Sequence, residues 1–118
     1  MDNKILIVDD DASTREICKK IIAHELKIPK DNIFLAANAA EALQVLENNI
    51  VQFMITDNDM PGMMGIKLIQ ICLSKYPKMK VALMSACVIR DAAIKDIKFF
   101  EKPFDVFALC DEIKKALV

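Results

Sequence analysis

The chain contains no tryptophan, one tyrosine, one histidine and two glycines. It also has no long apolar run: the longest uncharged stretches, such as Asn48 to Thr56 and Val81 to Ile89, span nine residues each, roughly half of what a membrane helix needs. Nothing in it is expected to cross a bilayer. The N-terminus turns acidic at Asp9 after only four apolar residues, which is not the hydrophobic region of a secretory signal; a cytoplasmic address is the simplest expectation. There is no excess of one charge, with 16 Lys+Arg against 17 Asp+Glu and a formal net charge of -1. A global basic field for gripping nucleic acid or an anionic membrane is thus lacking, and no local patch replaces it. Among the four cysteines, Cys18, Cys72, Cys87 and Cys110, no CxxC pair occurs and each has apolar neighbours, so reduced, buried thiols are expected rather than a disulfide or zinc framework. The lone histidine, His24, is expected at a surface. The two glycines, Gly62 and Gly65, fall in one loop, and neither repeat nor linker divides the chain.

What is present fits one domain over residues 1–118. Apolar residues make up 54% and charged residues 28%, enough to bury a core and incompatible with a disordered chain. The apolar residues come in short bounded runs: Ile5 to Val8, Ile33 to Ala37, Phe53 to Thr56, Val81 to Met84 and Ile97 to Phe100. The first four lack polar alternation, which marks strands covered on both faces. Between them lie segments of helical spacing. The first, near Ala12 to Leu26, places Ile17, Ile21 and Ile22 on one face, and Ser13 with Glu16 supplies a capping box. Asn38 with Glu41 opens the second, which carries Ala42, Leu43 and Leu46. A third runs from about Met64 to Lys75 and a weak fourth from about Val88 to Lys95. The last follows Asp105, with Val106, Leu109, Cys110, Ile113 and Leu117 along one stripe.

Strand and helix therefore alternate five times, which calls for an α/β, doubly wound parallel sheet with helices on both faces. In such sheets function gathers at the carboxyl ends of the strands, where strand order reverses. At those ends stand Asp9, Asp10 and Asp11 after the first strand, Asp57 and Asp59 after the third, Ser85 after the fourth, and Lys102 with Pro103 after the fifth. Carboxylates this crowded repel, by roughly 4 kcal/mol for a pair about 4 Å apart at an effective dielectric near 20. A hard cation offsets that repulsion, and a site with few protein ligands suits Mg²⁺, for which Mn²⁺ can substitute. The Lys102 amine and the Ser85 hydroxyl can hold oxygens of a phosphoryl group while one carboxylate acts as nucleophile. Each residue has a plainer reading in isolation: the acidic run as a helix cap, Lys102 and Pro103 as loop punctuation, Ser85 as a turn hydroxyl. Their agreement on one rim favours a phosphoryl and metal site.

These residues resemble the receiver domain of two-component response regulators, in size closest to the single-domain chemotaxis type. KILIVDD is similar to the family's first strand and acidic pair, MITDNDMPGMMG to its acceptor signature, VALMSA to its Ser/Thr segment and FFEKPF to its Lys-Pro segment. The resemblance implies a five-stranded flavodoxin-like sheet of order 2-1-3-4-5, with Asp57 as phosphoacceptor and Ser85 and Lys102 assisting. It implies Mg²⁺ held by Asp9, Asp10 and Asp57, Asp10 the more direct ligand of the acidic pair, with Asp59 offering a backbone carbonyl. Ser85 and Phe99 would be the switch residues. It implies a histidine kinase or phosphotransfer protein as phosphodonor, and a downstream protein target, or an output domain beyond this sequence, that reads the face built from the fourth helix, fifth strand and fifth helix. Direct nucleic-acid or membrane binding is not implied. Nor is turnover of an external substrate. From Ser85 to Lys102 is only 17 residues, shorter than the family's usual interval, so the fourth helix must be short or irregular. Asp59 and Cys87 occupy positions that in the family influence the rate of phosphate loss. Two other readings compete: a pseudo-receiver that binds without phosphorylation, and an enzyme resembling the aspartyl-phosphate phosphohydrolases, suggested by Asp57 and Asp59 as a DxD pair.

Overall fold

Four residues of unbroken apolar character, Ile5 to Val8, form the first strand, and all four are completely buried. The computed structural model describes residues 3–89 and 96–117 of the chain. Its strands are β1 (Ile5–Val8), β2 (Ile33–Ala36), β3 (Phe53–Asp57), β4 (Lys80–Ser85) and β5 (Lys98–Glu101), all paired in parallel in the order β2-β1-β3-β4-β5. The helices among the described residues are α1 (Ala12–Leu26), α2 (Ala39–Asn48), α3 (Gly65–Lys75) and α4 (Val106–Leu117). None is long and apolar enough to cross a membrane. This is the doubly wound, flavodoxin-like sheet expected, and its strand order reverses between β1 and β3.

Because successive strand residues point to opposite faces, each strand feeds two cores. Ile5 and Ile7 join Cys18 and Ile22 of α1 and Leu109, Cys110 and Ile113 of α4 on one face. Leu6 and Val8 join Ala42 and Leu46 of α2 and Leu68, Ile69 and Cys72 of α3 on the other. Double coverage is why β1 and β3 show no polar alternation. At roughly 25 cal/mol per Å² of apolar surface removed from water, these two layers are the main stabilising force.

Several local expectations are corrected. The first helix is capped by Asp11, whose carboxylate accepts the Ser13 N–H at 2.9 Å, and not by a Ser13–Glu16 box; Asp11 holds the required extended backbone one position before the helix, whereas Ser13 already lies inside it. Ile17, placed on the apolar face by spacing, is 54% exposed, since Cys18 and Ile22 take the inward positions. Cys87 is exposed, unlike the other three cysteines, whose burial pushes their thiols up to about 11. Asn38 and Glu41 do open α2 reciprocally: Asn38 Oδ1 accepts the Glu41 N–H at 2.9 Å, and Glu41 Oε1 accepts the Ala37 N–H at 2.8 Å. A 3₁₀ turn at Lys30–Asn32, not anticipated, leads into β2. Of the segment expected to be the fourth helix, residues 90–95 lie outside the described residues, and Val88 and Ile89 before them are in neither helix nor strand.

Candidate functional site

The carboxyl ends of β1 and β3, at the reversal of strand order, carry Asp9 and Asp57. Asp9 follows β1 directly and is fully buried. Its N–H continues the β1–β2 ladder to the Ala36 carbonyl at 3.0 Å, its carbonyl accepts Arg15 Nη1 at 2.8 Å, and its Oδ1 accepts the Asp11 N–H at 2.9 Å. The acidic run thus divides its work. Asp9 turns inward, Asp10 is exposed at the mouth of the site, and Asp11 caps α1, where hydrogen bonds from the Thr14 hydroxyl and the Ser13 N–H hold its carboxyl below the usual range.

Asp57 ends β3 and is 2% exposed. Its Oδ1 accepts the Asp59 N–H at 3.2 Å. Burial pushes its carboxyl above the usual aspartate value, with Asp9 adding to the effect, while the Asp59 N–H and Lys102 work the other way. The next residue, Asn58, holds the surroundings of Asp57 together: its N–H donates to the Met84 carbonyl at 2.8 Å, its carbonyl accepts the Gly65 N–H at 3.2 Å, and its Oδ1 accepts the Ile66 N–H at 2.9 Å. One buried Asn therefore ties β3 to β4 and caps the start of α3.

Lys102 is delivered from the far side of the sheet. β5 pairs with β4 so that Glu101 lies opposite Ser85, and the Lys102 N–H donates to the Ser85 carbonyl at 2.8 Å. The side chain then reaches back along the sheet edge. Its Nζ lies 3.0 Å from Asp9 Oδ2 and 3.4 Å from Asp57 Oδ2. Burial disfavours the ammonium, but the hydrogen bond and attraction of Asp9, followed by Asp57, more than reverse this and hold the amine above its ordinary value.

Carboxylate oxygens of Asp9, Asp10 and Asp57 lie within 4.8 Å of one another. Among the described residues, three carboxylates face one ammonium, which leaves an excess of negative charge in a partly dry site, and all the donors are hard oxygens. That donor set fits a divalent cation of the Mg²⁺ class. The Asp59 carboxylate does not join it. Asp59 Oδ2 instead accepts the Ser85 hydroxyl at 2.9 Å and the Ala86 N–H at 3.4 Å, and Asp57 and Asp59 point to different partners. Phe99 is half-buried against the α2–α3 core layer, on the face opposite Phe100.

Against known sequences, the family profile described as response regulator receiver domain matches residues 5–114. The chain belongs to this family. The receiver is 32% identical to the response regulator protein FleR of Pseudomonas aeruginosa over 95% of its own length, and spans 24% of FleR. It is 28% identical to sporulation initiation phosphotransferase F of Bacillus subtilis, over 99% of this chain and 95% of that protein. Among solved structures, the receiver resembles response regulator TrrA of Thermotoga maritima in complex with Mg²⁺-BeF, at 26% identity and a TM-score of 0.85 over 97% of this chain and 98% of that one. TrrA is also known in complex with the histidine kinase ThkA, where the likeness is 27% identity and a TM-score of 0.85 over 98% and 99% of the two chains.

All four strand-end groups foreseen from sequence, Asp9 with Asp10, Asp57, Ser85 and Lys102, meet at one rim of the receiver. Arg15 and Asn58 were not foreseen. Arg15 is signalled only by a cation one turn into the helix after an acidic run, and Asn58 only by an amide side chain in the turn after a strand.

Proposed function

We propose that this receiver accepts a phosphoryl group on Asp57 from the phosphohistidine of a histidine kinase or phosphotransfer protein, and that the new charge remodels a surface read by a protein target. One observation carries the proposal: the buried Asp57 carboxylate sits between the Lys102 ammonium and a carboxylate cluster whose excess charge suits a divalent cation. A carboxylate oxygen of Asp57 attacks phosphorus as the P–N bond to the donor's imidazole breaks; the nitrogen leaves with the bonding pair, and the product is an acyl phosphate. Bound Mg²⁺, or Mn²⁺ in its place, would be held by Asp9, Asp10 and Asp57 with the Asp59 carbonyl as a further ligand, and would neutralise charge on the phosphoryl oxygens. Lys102 keeps its proton throughout, because two carboxylates hold its amine above the ordinary value, and gives the transferring group a fixed positive partner. The backbone N–H of Asp59 orients the nucleophilic carboxylate.

Ser85 stands at the end of β4 with a hydroxyl able to turn toward the new group, and Phe99, half-buried one strand away, is the second switch element of this reading. The likeness to TrrA, crystallised with a histidine kinase, supports a kinase as donor. Turnover of an external phosphate ester is not part of the reading, since Asp57 and Asp59 do not converge as a catalytic pair. The proposed address is the cytoplasm. Intact mass after incubation with acetyl phosphate and Mg²⁺ tests the assignment: one added phosphoryl group is expected for the wild type and none for Asp57→Asn. Wild-type protein that gains no mass while still binding Mg²⁺ would make a phosphorylation-independent binding module the better account.

A further inference from the structure

Two donors at the end of β4 converge on a single carboxylate oxygen: the Ser85 hydroxyl at 2.9 Å and the Ala86 N–H at 3.4 Å both meet Asp59 Oδ2. Ser85 Oγ also accepts the Cys87 N–H at 3.1 Å, which fixes the hydroxyl's orientation, and its one proton is spent on Asp59. Asp59 meanwhile uses its own N–H on Asp57 Oδ1 at 3.2 Å. One exposed residue therefore clasps the nucleophile with its backbone and the β4 terminus with its side chain, and the clasp of Ser85 is a charge-assisted bond, stronger than one between neutral groups.

From this geometry we propose that Asp59 is a positioning residue that tethers Ser85 and Ala86 in the resting state and so sets the threshold of the switch. The inference rests on the phosphoacceptor reading of Asp57. A phosphoryl group on Asp57 can engage the Ser85 hydroxyl only if that hydroxyl gives up Asp59, because a single proton cannot serve both acceptors. The incoming dianion competes for the same two donors, and its like charge disfavours the Asp59 carboxylate at the same time. The resting conformation is thus stabilised by an acceptor that stands in for the phosphoryl group on the other side of the same donors, and the switch moves when the stronger acceptor wins.

The tether predicts a pattern that bare charge does not. Beryllofluoride binding in Mg²⁺, measured by titration, should be about tenfold tighter in Asp59→Ala than in wild type, the worth of one charge-assisted hydrogen bond. Asp59→Asn, which retains an acceptor oxygen for Ser85, should return most of the way to wild type. In a Ser85→Ala background Asp59→Ala should have little further effect. In the absence of beryllofluoride, the Ala86 and Cys87 amide resonances should move in Asp59→Ala. Equal tightening by Asp59→Ala with and without the Ser85 hydroxyl, or by Asp59→Asn and Asp59→Ala alike, would reduce Asp59 to a local charge and overturn the tether. So would wild-type affinity in Asp59→Ala. Wild type that binds no beryllofluoride and gains no phosphoryl mass would instead overturn the reading of Asp57, and the switch role with it.

Discussion

Gly65 opens α3 against the backbone of Asp57, so close that a Cβ added there would lie 2.8 Å from the Asp57 carbonyl carbon and 2.9 Å from the Asn58 Cα. The neighbours are main-chain atoms at the end of a central strand and cannot swing aside as a flexible side chain would. Gly65→Ala must therefore push α3 away or displace Asp57. We expect a loss of about 2 kcal/mol in denaturant unfolding, in the range of overpacked buried sites, together with slower phosphoryl uptake at Asp57. Unaltered stability would mean that the strand end yields more readily than its pairing to β4 implies.

That contact was hidden in the sequence, where Gly65 showed only as a loop glycine in an acceptor-like signature. Strand and helix order was plain, because double-sided burial leaves unbroken apolar runs and amphipathic helices leave stripes. Strand ends were less so: Asp57, Ser85 and Glu101 belong to strands, and polar residues at a sheet's functional rim look like loop. Asp9 and Lys102, 93 residues apart, could be assigned to one rim by topology, but their hydrogen bond depends on the β4–β5 register, which no local pattern encodes. The direction of the Asp59 side chain was equally illegible. Its spacing from Asp57 suits a paired-carboxylate site, and only the position of the β4 terminus shows that it serves Ser85.

Lys102 should stabilise the fold as well as the proposed reaction. Lys102→Met leaves the Asp9 and Asp57 carboxylates buried without their cation, and a loss of about 2 kcal/mol at neutral pH is expected. Since the folded protein raises this amine's pKa, the contribution is complete below the ordinary lysine value, near 10.4, and disappears as pH rises through the folded value. Unfolding curves of wild type and variant, taken without Mg²⁺, should stay apart from pH 7 to 9 and converge in stronger alkali. A gap that persists unchanged into strong alkali, where the amine has lost its proton, would assign the effect to lost packing.

Asp57→Asn should raise stability even as it removes the proposed phosphoacceptor. Folding raises the Asp57 pKa, chiefly through burial, so the ionised group opposes the fold: stability falls as pH climbs from the ordinary aspartate value, near 3.9, through the folded value. The neutral amide escapes this. Without divalent cations at pH 7, thermal unfolding should show Tm higher by roughly 4 °C, equivalent to about 1 kcal/mol for a domain of this size. The difference should close below pH 4, where the wild-type carboxyl is itself protonated. A variant less stable than wild type at pH 7 would show that the Lys102 contact outweighs the cost of burying the charge.

Divalent cations should stabilise the receiver through Asp10 in particular. The three converging carboxylates come from two strand ends and are gathered only in the folded chain, so an ion that binds them shifts the unfolding equilibrium by RT ln(1 + [L]/Kd), about 1.4 kcal/mol at ten times Kd. Tm should then climb by roughly 5 °C on titration with Mg²⁺ and return on addition of chelator. Asp10 is exposed and makes no hydrogen bond among the described residues, unlike Asp9, which anchors β1, Arg15 and Lys102. Asp10→Asn should therefore leave the metal-free Tm nearly unchanged while shifting the Mg²⁺ titration to about tenfold higher concentration, as expected when one charged ligand becomes neutral. If the titration of Asp10→Asn overlays that of wild type, the cation is held without Asp10, and the site must be reassigned to the buried carboxylates of Asp9 and Asp57 alone.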